Sequence, residues 1–369
     1  MPRDALDRIK IQGFKSIASL DLKLRPLNVL IGANGSGKSN LIGVFEFLHA
    51  IRLGHLQEYV ARAGGAEKIL HFGSKVTPEA SFELSFHHGK NEYELALASA
   101  SGDTLVCLRE RAAFTYDGNT KWQNVPRSDG GREPGISKAW IHGPYKDYVA
   151  KRLEQFRVYH LHDTSDSSPM RKTSNVNDNR ALHADCANLA AFLHLLKQKH
   201  EKSYGFVRAN IQRVAPFFDD FALAPLELNP ETIKLEWRHK SSGQVFDASS
   251  LSDGTLRFIA LATLFLQPAR FHPALIVVDE PELGLHPFAV GLLASLMKLA
   301  ARTTQVIVAT QSAQLLDHFE PEDVLVASRE RGATKLQRLD SKKLKVWLEE
   351  YSLGQLWEKN EFGGMPVVE

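Results

Sequence analysis

The chain has 369 residues, 43% apolar and 24% charged, a balance that excludes global disorder, collagen and a disulfide-stapled miniature fold. Lys and Arg total 45 against 43 Asp and Glu, a formal charge of +2, so no polyanion partner is demanded overall, although a local basic stripe is allowed. Cys107 and Cys186 form no CxxC pair, no apolar run reaches the ~18–20 residues of a membrane span, and the charged start lacks a signal peptide's apolar stretch, so a reducing, cytoplasmic, membrane-free setting is expected.

Residues 8–12 and 20–24 alternate apolar and polar side chains, the period-two signature of strands with one face on a core. Residues 27–31 are denser in apolar groups, as a buried strand must be, and Pro26 sets their start. Gly32-Ala33-Asn34-Gly35-Ser36-Gly37-Lys38-Ser39 follows and matches GxxxxGK[ST] at every required position. Its glycines let backbone N–H groups turn inward around phosphate oxygens. The helix predicted over 38–52, with Leu41, Val44, Phe45, Leu48 and Ile51 at helical spacing, adds the positive end of its dipole. Lys38 would reach the β- and γ-phosphates, and Ser39 would hold Mg2+.

Residues 82–86, 93–98 and 105–114 read as an antiparallel meander, with turns at His88-Gly89 and Ser101-Gly102-Asp103. Residues 117–147 read as a long surface loop, 156–161 as a strand, and 165–180 as a polar, mobile segment whose Arg171, Lys172 and Arg180 could contact DNA phosphates, although a solvated loop is the favoured reading. Helical periodicity returns at 187–197 and 206–218. In Leu251-Ser252-Asp253-Gly254-Thr255-Leu256-Arg257, Ser252 is an N-cap for a helix that runs to Leu266, and Pro268 stops it. A hydroxyl and free N–H groups at a helix start make a second anion site. One chain needs a single γ-phosphate cradle, so this second site is assigned to a nucleotide held by another subunit. The strand over 274–279 ends in Asp279-Glu280, at the edge that faces the ligand crevice of a parallel sheet. Asp279 would hold the Mg2+ shell through water, and Glu280 would polarise the attacking water as general base. A helix over 287–301 and strands at 305–310 and 324–326 complete the alternation of a parallel core. His160-x-His162 invites a metal reading but lacks a third ligand, so structural histidines are the expectation. Lys342, Lys343 and Lys345 fall on an amphipathic helix as a solvated face.

In order, the cradle, residues 251–257 and the acidic strand resemble the ATP-binding-cassette ATPase fold. Ile11-Gln12-Gly13-Phe14-Lys15-Ser16, together with the cradle extended from Ile31 to Asn40, is similar to the SMC- and RecF-type branch. Residues 251–257, Asp279-Glu280-Pro281-Glu282-Leu283-Gly284-Leu285-His286-Pro287 and Ala309-Thr310-Gln311-Ser312 resemble RecF-like, AAA-domain ATPases of the AbiEii-toxin and OLD class. Tyr351-Ser352-Leu353-Gly354-Gln355-Leu356-Trp357 is similar to the tail of stand-alone bacterial members. The match is weaker between about 115 and 245.

The resemblance implies an α/β P-loop head without a coiled-coil arm. It has a mixed parallel core sheet, an N-terminal antiparallel β-meander and a helical lobe. The expected divisions are 1–164, an N-terminal ATPase lobe; 165–250, a helical insertion; and 251–369, a C-terminal ATPase lobe. It implies ATP and Mg2+ as cofactors and a homodimer with two nucleotides at its interface. Gly32, Ala33, Asn34, Gly35, Ser36, Gly37, Lys38, Ser39 and Asn40 of one subunit would bind ATP together with Ser252, Asp253 and Gly254 of the other. Glu280, Lys38 and Gln311 form the implied catalytic set, and Phe14 and Lys15 face either the adenosine or the core. Three departures stand out. Asp253 places a negative charge where many cassettes have Gly, with Arg257 one turn on to offset it. Gln311 replaces a phosphate-sensing His. No glutamine follows Tyr159, so His162 or Asp163 stands in for the glutamine loop, with Asp163 the candidate Mg2+ contact.

The function implied is an ATP-driven switch acting on DNA or on a separately encoded effector, in DNA repair or anti-phage defence. The alternative is a nucleotide-dependent scaffold that regulates a separately encoded nuclease or toxin with little turnover. Glu280 speaks against it, since a scaffold needs no base. Gln311 and the SMC-like start argue against a transporter subunit, and the 252–254 element argues against a AAA+ ring. No acidic cluster follows residue 320, so any nuclease is expected to be a partner.

Overall fold

The computed structural model describes residues 5–116, 119–126, 129–138 and 146–363. The chain opens with β1 (Leu6–Phe14), β2 (Ile17–Lys23), β3 (Leu27–Ile31), α1 (Lys38–Leu53), α2 (Leu56–Ala63) and α3 (Ala66–Ile69). β4 (Glu79–Phe86), β5 (Asn91–Ala100), β6 (Thr104–Tyr116) and β7 (Asn119–Asn124) follow, then α4 (Lys151–Glu154) and β8 (Phe156–Tyr159). The middle holds β9 (Ser174–Asn175), α5 (Leu189–Lys199), α6 (Glu201–Val214), β10 (Phe218–Phe221), β11 (Pro225–Leu226), β12 (Asn229–Ile233), β13 (Glu236–His239) and β14 (Val245–Asp247). α7 (Asp253–Leu266), β15 (Leu275–Asp279), α8 (Pro287–Ala300), β16 (Gln305–Thr310), β17 (Val324–Glu330) and β18 (Ala333–Arg338) complete the core.

One six-stranded sheet is antiparallel, in the order β2-β1-β4-β5-β6-β7. The other runs β18-β17-β3-β16-β15-β8, parallel except for the β17–β18 hairpin at its edge. Its central strands are buried along nearly their whole length because both faces are covered, and the polar residues they bury, Asn28, Gln305 and Thr310, are hydrogen-bonded. Leu30, Val277 and Ile307 join a core with the antiparallel sheet and α1, while Val29, Val278 and Val308 join a second core with α5 to α8. α1 buries Leu41, Ile42, Val44, Phe45, Phe47 and Leu48, apolar around most of its circumference, because both sheets pack on it. The buried amide of Gln305 ties the sheets together. It donates to Leu6 O and Arg25 O at 3.0 Å each and accepts from Leu6 N at 3.2 Å. The fold is the expected α/β head with a mixed parallel core and an antiparallel meander.

Three local expectations change. Within 117–147, Asn119–Asn124 pairs with β6 as an edge strand rather than lying in a loop, and Ile136 is buried; residues 117–118, 127–128 and 139–145 of that stretch lie outside the described residues. The 165–180 segment is anchored rather than mobile, since Met170 is 2% exposed and β9 pairs with β12. The helix expected over 206–218 is α6, ending at Val214, because Pro216 offers no N–H and disfavours the helical conformation before it; Phe218 starts a strand instead. Among the described residues no helix is long and apolar enough to cross a membrane.

Candidate functional site

β3 is buried along all five residues and delivers the chain at the carboxyl edge of the parallel sheet into the 32–37 loop. Gly37 has φ 103°, and a Cβ there would collide with Thr334 of β18, so only glycine fits. No side chain caps α1 and no acid occupies its first turn, which leaves the helix dipole to favour an external anion. Lys38 is 6% exposed and folds back over the loop, donating to Gly32 O at 2.5 Å and Ala33 O at 3.0 Å. Burial lowers its proton affinity against the opposing pull of Glu280 and Asp279. Ser36 Oγ is buried with no hydrogen-bond partner among the described residues. An orphaned hydroxyl and an ammonium satisfied only by carbonyls fit a ligand rich in acceptor oxygens.

The loop and α1 wall a cavity of about 200 Å3 with Asn34, Gly35, Gly37, Lys38, Ser39 and Asn40. The carboxyl edge of the sheet supplies Asp279, Glu280, Gln311 and Arg329. Burial, and next the charge of Glu280, raise the pKa of Asp279, while His162, His160 and Lys38 oppose the shift. Glu280 adopts φ 42°, a strained conformation for a non-glycine residue, and its N–H donates to Ala309 O at 2.8 Å, which holds it there. Gln311 Nε2 donates to Glu280 Oε1. Behind them Thr310 Oγ1 donates to Glu282 Oε1. Burial raises the pKa of Glu282, and its second oxygen has no partner. The exposed hydroxyl of Ser39 and the carboxylate of Asp279 line the same cavity, and such hard oxygen donors suit Mg2+.

Ser252 caps α7, accepting from Thr255 N at 3.3 Å, but Ser252, Asp253 and Gly254 do not line the cradle cavity of their own chain. A Cβ on Gly254 would run into Gly284 O, so this helix start packs directly against the loop that follows the acidic strand. The cation in direct contact with Asp253 is Arg171, at 3.0 Å, and Arg257 answers the same charge at longer range. Arg171 is also no solvated loop residue: its side chain is 7% exposed and donates to Thr164 O at 3.0 Å and Leu251 O at 3.2 Å. Arg257 turns inward, donating to Leu161 O at 2.9 Å and His162 O at 3.2 Å.

Asp163 is turned onto its own loop, accepting from Ser165 N at 3.1 Å and Ser165 Oγ at 2.6 Å, and does not line the cavity. His160 Nε2 meets Glu46 Oε1 at 2.6 Å, and among the described residues no three His, Cys, Asp or Glu form a group able to hold a metal. Phe14 is fully buried against Phe47 and Phe82, while Lys15 lies beside Tyr59 and away from the cradle cavity.

Sequence reasoning missed two features. Arg329 carries no motif; only the placement of β17 beside β3, with Val326 level with Ile31, brings its guanidinium to the cavity. Ser16 Oγ lies 2.6 Å from Thr334 Oγ1 and accepts from Asn40 Nδ2 at 2.6 Å, which binds the β1–β2 turn, β18 and α1 together behind the loop. The Phe14-Lys15-Ser16 turn is the only signal in the sequence for that knot.

Residues 27–317 match the family model described as "AAA domain, putative AbiEii toxin, Type IV TA system". Among curated proteins the chain is similar to the Old nuclease of Escherichia phage P2, 22% identical over 391 residues, covering 92% of this chain and 62% of that protein. The chain thus spans less than two thirds of that relative's length. Among solved structures it is similar to an Smc head bound to the C-winged helix domain of ScpA, with 17% identity, a TM-score of 0.58, and coverage of 93% of this chain and 99% of that one. It is also similar to an Smc head domain with an extended coiled coil bound to the C-terminal domain of ScpA, derived from Pyrococcus furiosus, with 16% identity, a TM-score of 0.56 and coverage of 94% and 99%.

Proposed function

The chain belongs to this AAA-domain family and has the fold of SMC heads, and from that premise we propose that it binds ATP with Mg2+ and hydrolyses it in a homodimer that opens and closes with the nucleotide. The observation that carries the reading is the single cavity in which Lys38, Ser39, Asp279, Glu280 and Gln311 converge. In it Lys38 and the first turn of α1 would hold the phosphate chain, and the Ser39 hydroxyl and, through water, the Asp279 carboxylate would hold the metal. Mg2+, when bound, neutralises phosphate charge. Glu280 takes a proton from the attacking water, and Gln311 fixes the carboxylate's direction. Arg329 stands on the opposite side of β3 from β15 and β16 and would answer the charge of the phosphate chain from the side of the cavity away from Glu280.

The dimer reading rests on Ser252 and Gly254, which begin a helix with a hydroxyl and N–H groups yet lie outside the cavity of their own chain. A second subunit brings this element to the γ-phosphate, with the charge of Asp253 answered by Arg171. The closed dimer acts as a switch on DNA or on a separately encoded effector, in a role of the defence or repair kind. The relatedness to a phage Old nuclease supports that setting. The test is ATP turnover with and without single- and double-stranded DNA, read beside mass in solution. A chain that hydrolyses ATP at full speed as a monomer defeats the dimer, and one that binds no ATP defeats the cradle.

A further inference from the structure

A second cavity, about 850 Å3, runs along the flank of α1 between α2, β8 and residues 178–184, and it shares no lining residue with the cradle cavity. Lys15, Arg62, Arg157 and Arg180 face it, and none is ion-paired with a carboxylate among the described residues. Three carboxylates face it as well. Glu46 is engaged by His160 at 2.6 Å and Asp178 by His183 at 3.1 Å, which leaves Glu58 as the unengaged one. Four cations against three carboxylates, two of them already engaged by histidines, leave the cleft with a net positive charge that favours an entering anion.

Lys15 makes the case sharper. Its backbone has φ 49° and is locked, the N–H donating to Ile69 O at 2.7 Å and the carbonyl accepting from His71 Nδ1 at 2.6 Å. That conformation sets Nζ 5.5 Å from the Phe14 ring centroid and 5.8 Å from that of Tyr59, with one long hydrogen bond of 3.5 Å to Tyr59 Oη. Burial of this half-buried ammonium, held by a strained backbone, lowers its proton affinity, and Glu46, which His160 also engages, offsets that only in part; an anionic ligand stabilises the charge further.

We infer that this cleft is a second anion site, separate from the cradle, which takes a phosphate-bearing ligand: the end of a nucleic-acid strand or a free nucleotide. Arg62 and Arg180 are exposed guanidiniums on this cleft, while Arg157 also donates from Nη1 to Glu154 O and Phe156 O; the arginine fork matches phosphate oxygens, and the volume falls within the ~300–1,000 Å3 of small-ligand sites.

The inference stands independently of the proposed function, and its test reads binding, not turnover. A labelled single-stranded oligonucleotide with a 5′-phosphate and, separately, labelled ADP are titrated into the parent chain and into Arg62→Ala/Arg180→Ala, both exposed positions. If a strand end is the ligand, the double substitution weakens oligonucleotide binding about tenfold and lowers the slope of log K against log salt by about 1.4. If a free nucleotide is the ligand, ADP fills two sites per chain in the parent and one in the variant. Arg62→Lys/Arg180→Lys, which keeps the charge and loses the fork, retains the salt dependence and part of the affinity, and Lys15→Met repeats the loss. Indistinguishable titrations of parent and double alanine variant with both probes overturn the inference.

Discussion

The side-chain amide of Gln311, just past the end of β16, donates to the carboxylate of Glu280, just past the end of the neighbouring β15. The residue that ends one parallel strand thus aims the acid that ends the next. Glu280→Gln is expected to lower ATP turnover by ~10²–10⁴-fold while ATP affinity stays within a few-fold, because the amide cannot accept the proton of water. Gln311→Ala leaves the base in place but loosens its direction and costs turnover by a smaller factor. Steady-state turnover and equilibrium ATP binding on the same preparations check both, and parental turnover in Glu280→Gln removes it as the base.

Ser252→Arg places a long cation where the cap of α7 faces outward. Nucleotide binding by the single chain is expected to persist, since Ser252 does not line that cavity, while ATP-dependent association is lost. Light scattering of parent and variant with ATP decides it; undiminished dimerisation sinks the cross-subunit arrangement.

Among the described residues the Arg329 side chain, facing the cavity, makes a single hydrogen bond, from Nε to Gly332 O at 3.3 Å. Arg329→Ala is expected to weaken ADP and ATP by the same factor, about tenfold or ~1.4 kcal/mol, because α- and β-phosphates are common to both. A loss confined to ATP would instead place the guanidinium at the γ-phosphate.

Gln305 is 1% exposed and satisfies Leu6 at both its N–H and its carbonyl, as well as Arg25 O. Gln305→Leu keeps the volume but strands three backbone groups between the two sheets, at an expected loss of about 2–3 kcal/mol. Urea unfolding of the nucleotide-free chain reads it directly; an unchanged midpoint shows that the tie contributes nothing.

Local chemistry makes much of this protein legible in its sequence. A dense apolar run, a glycine-rich loop and a helix in immediate succession can hardly be arranged otherwise, and the acidic end of residues 275–279 is a period and composition effect of a strand buried on both faces. The same local rules misread Arg171, Arg257 and the segment around 165–180, since a polar stretch looks solvated until its tertiary partners are known. Arg171 is sequestered by Ala248 and Leu251, about eighty residues away, and Arg257 by Leu161 and His162, almost a hundred away.

Local pattern therefore settles the order of elements and the chemistry carried at each strand end. Which strands become neighbours is settled by the packed fold alone. Strand order β18-β17-β3-β16-β15-β8 puts Arg329 on one side of the cradle and Glu280 and Gln311 on the other, and it puts Thr334 against Gly37. The physical reason is that sheet order is set by long-range packing of both sheets on α1 and by crossover connections, and neither leaves a periodic trace in the chain.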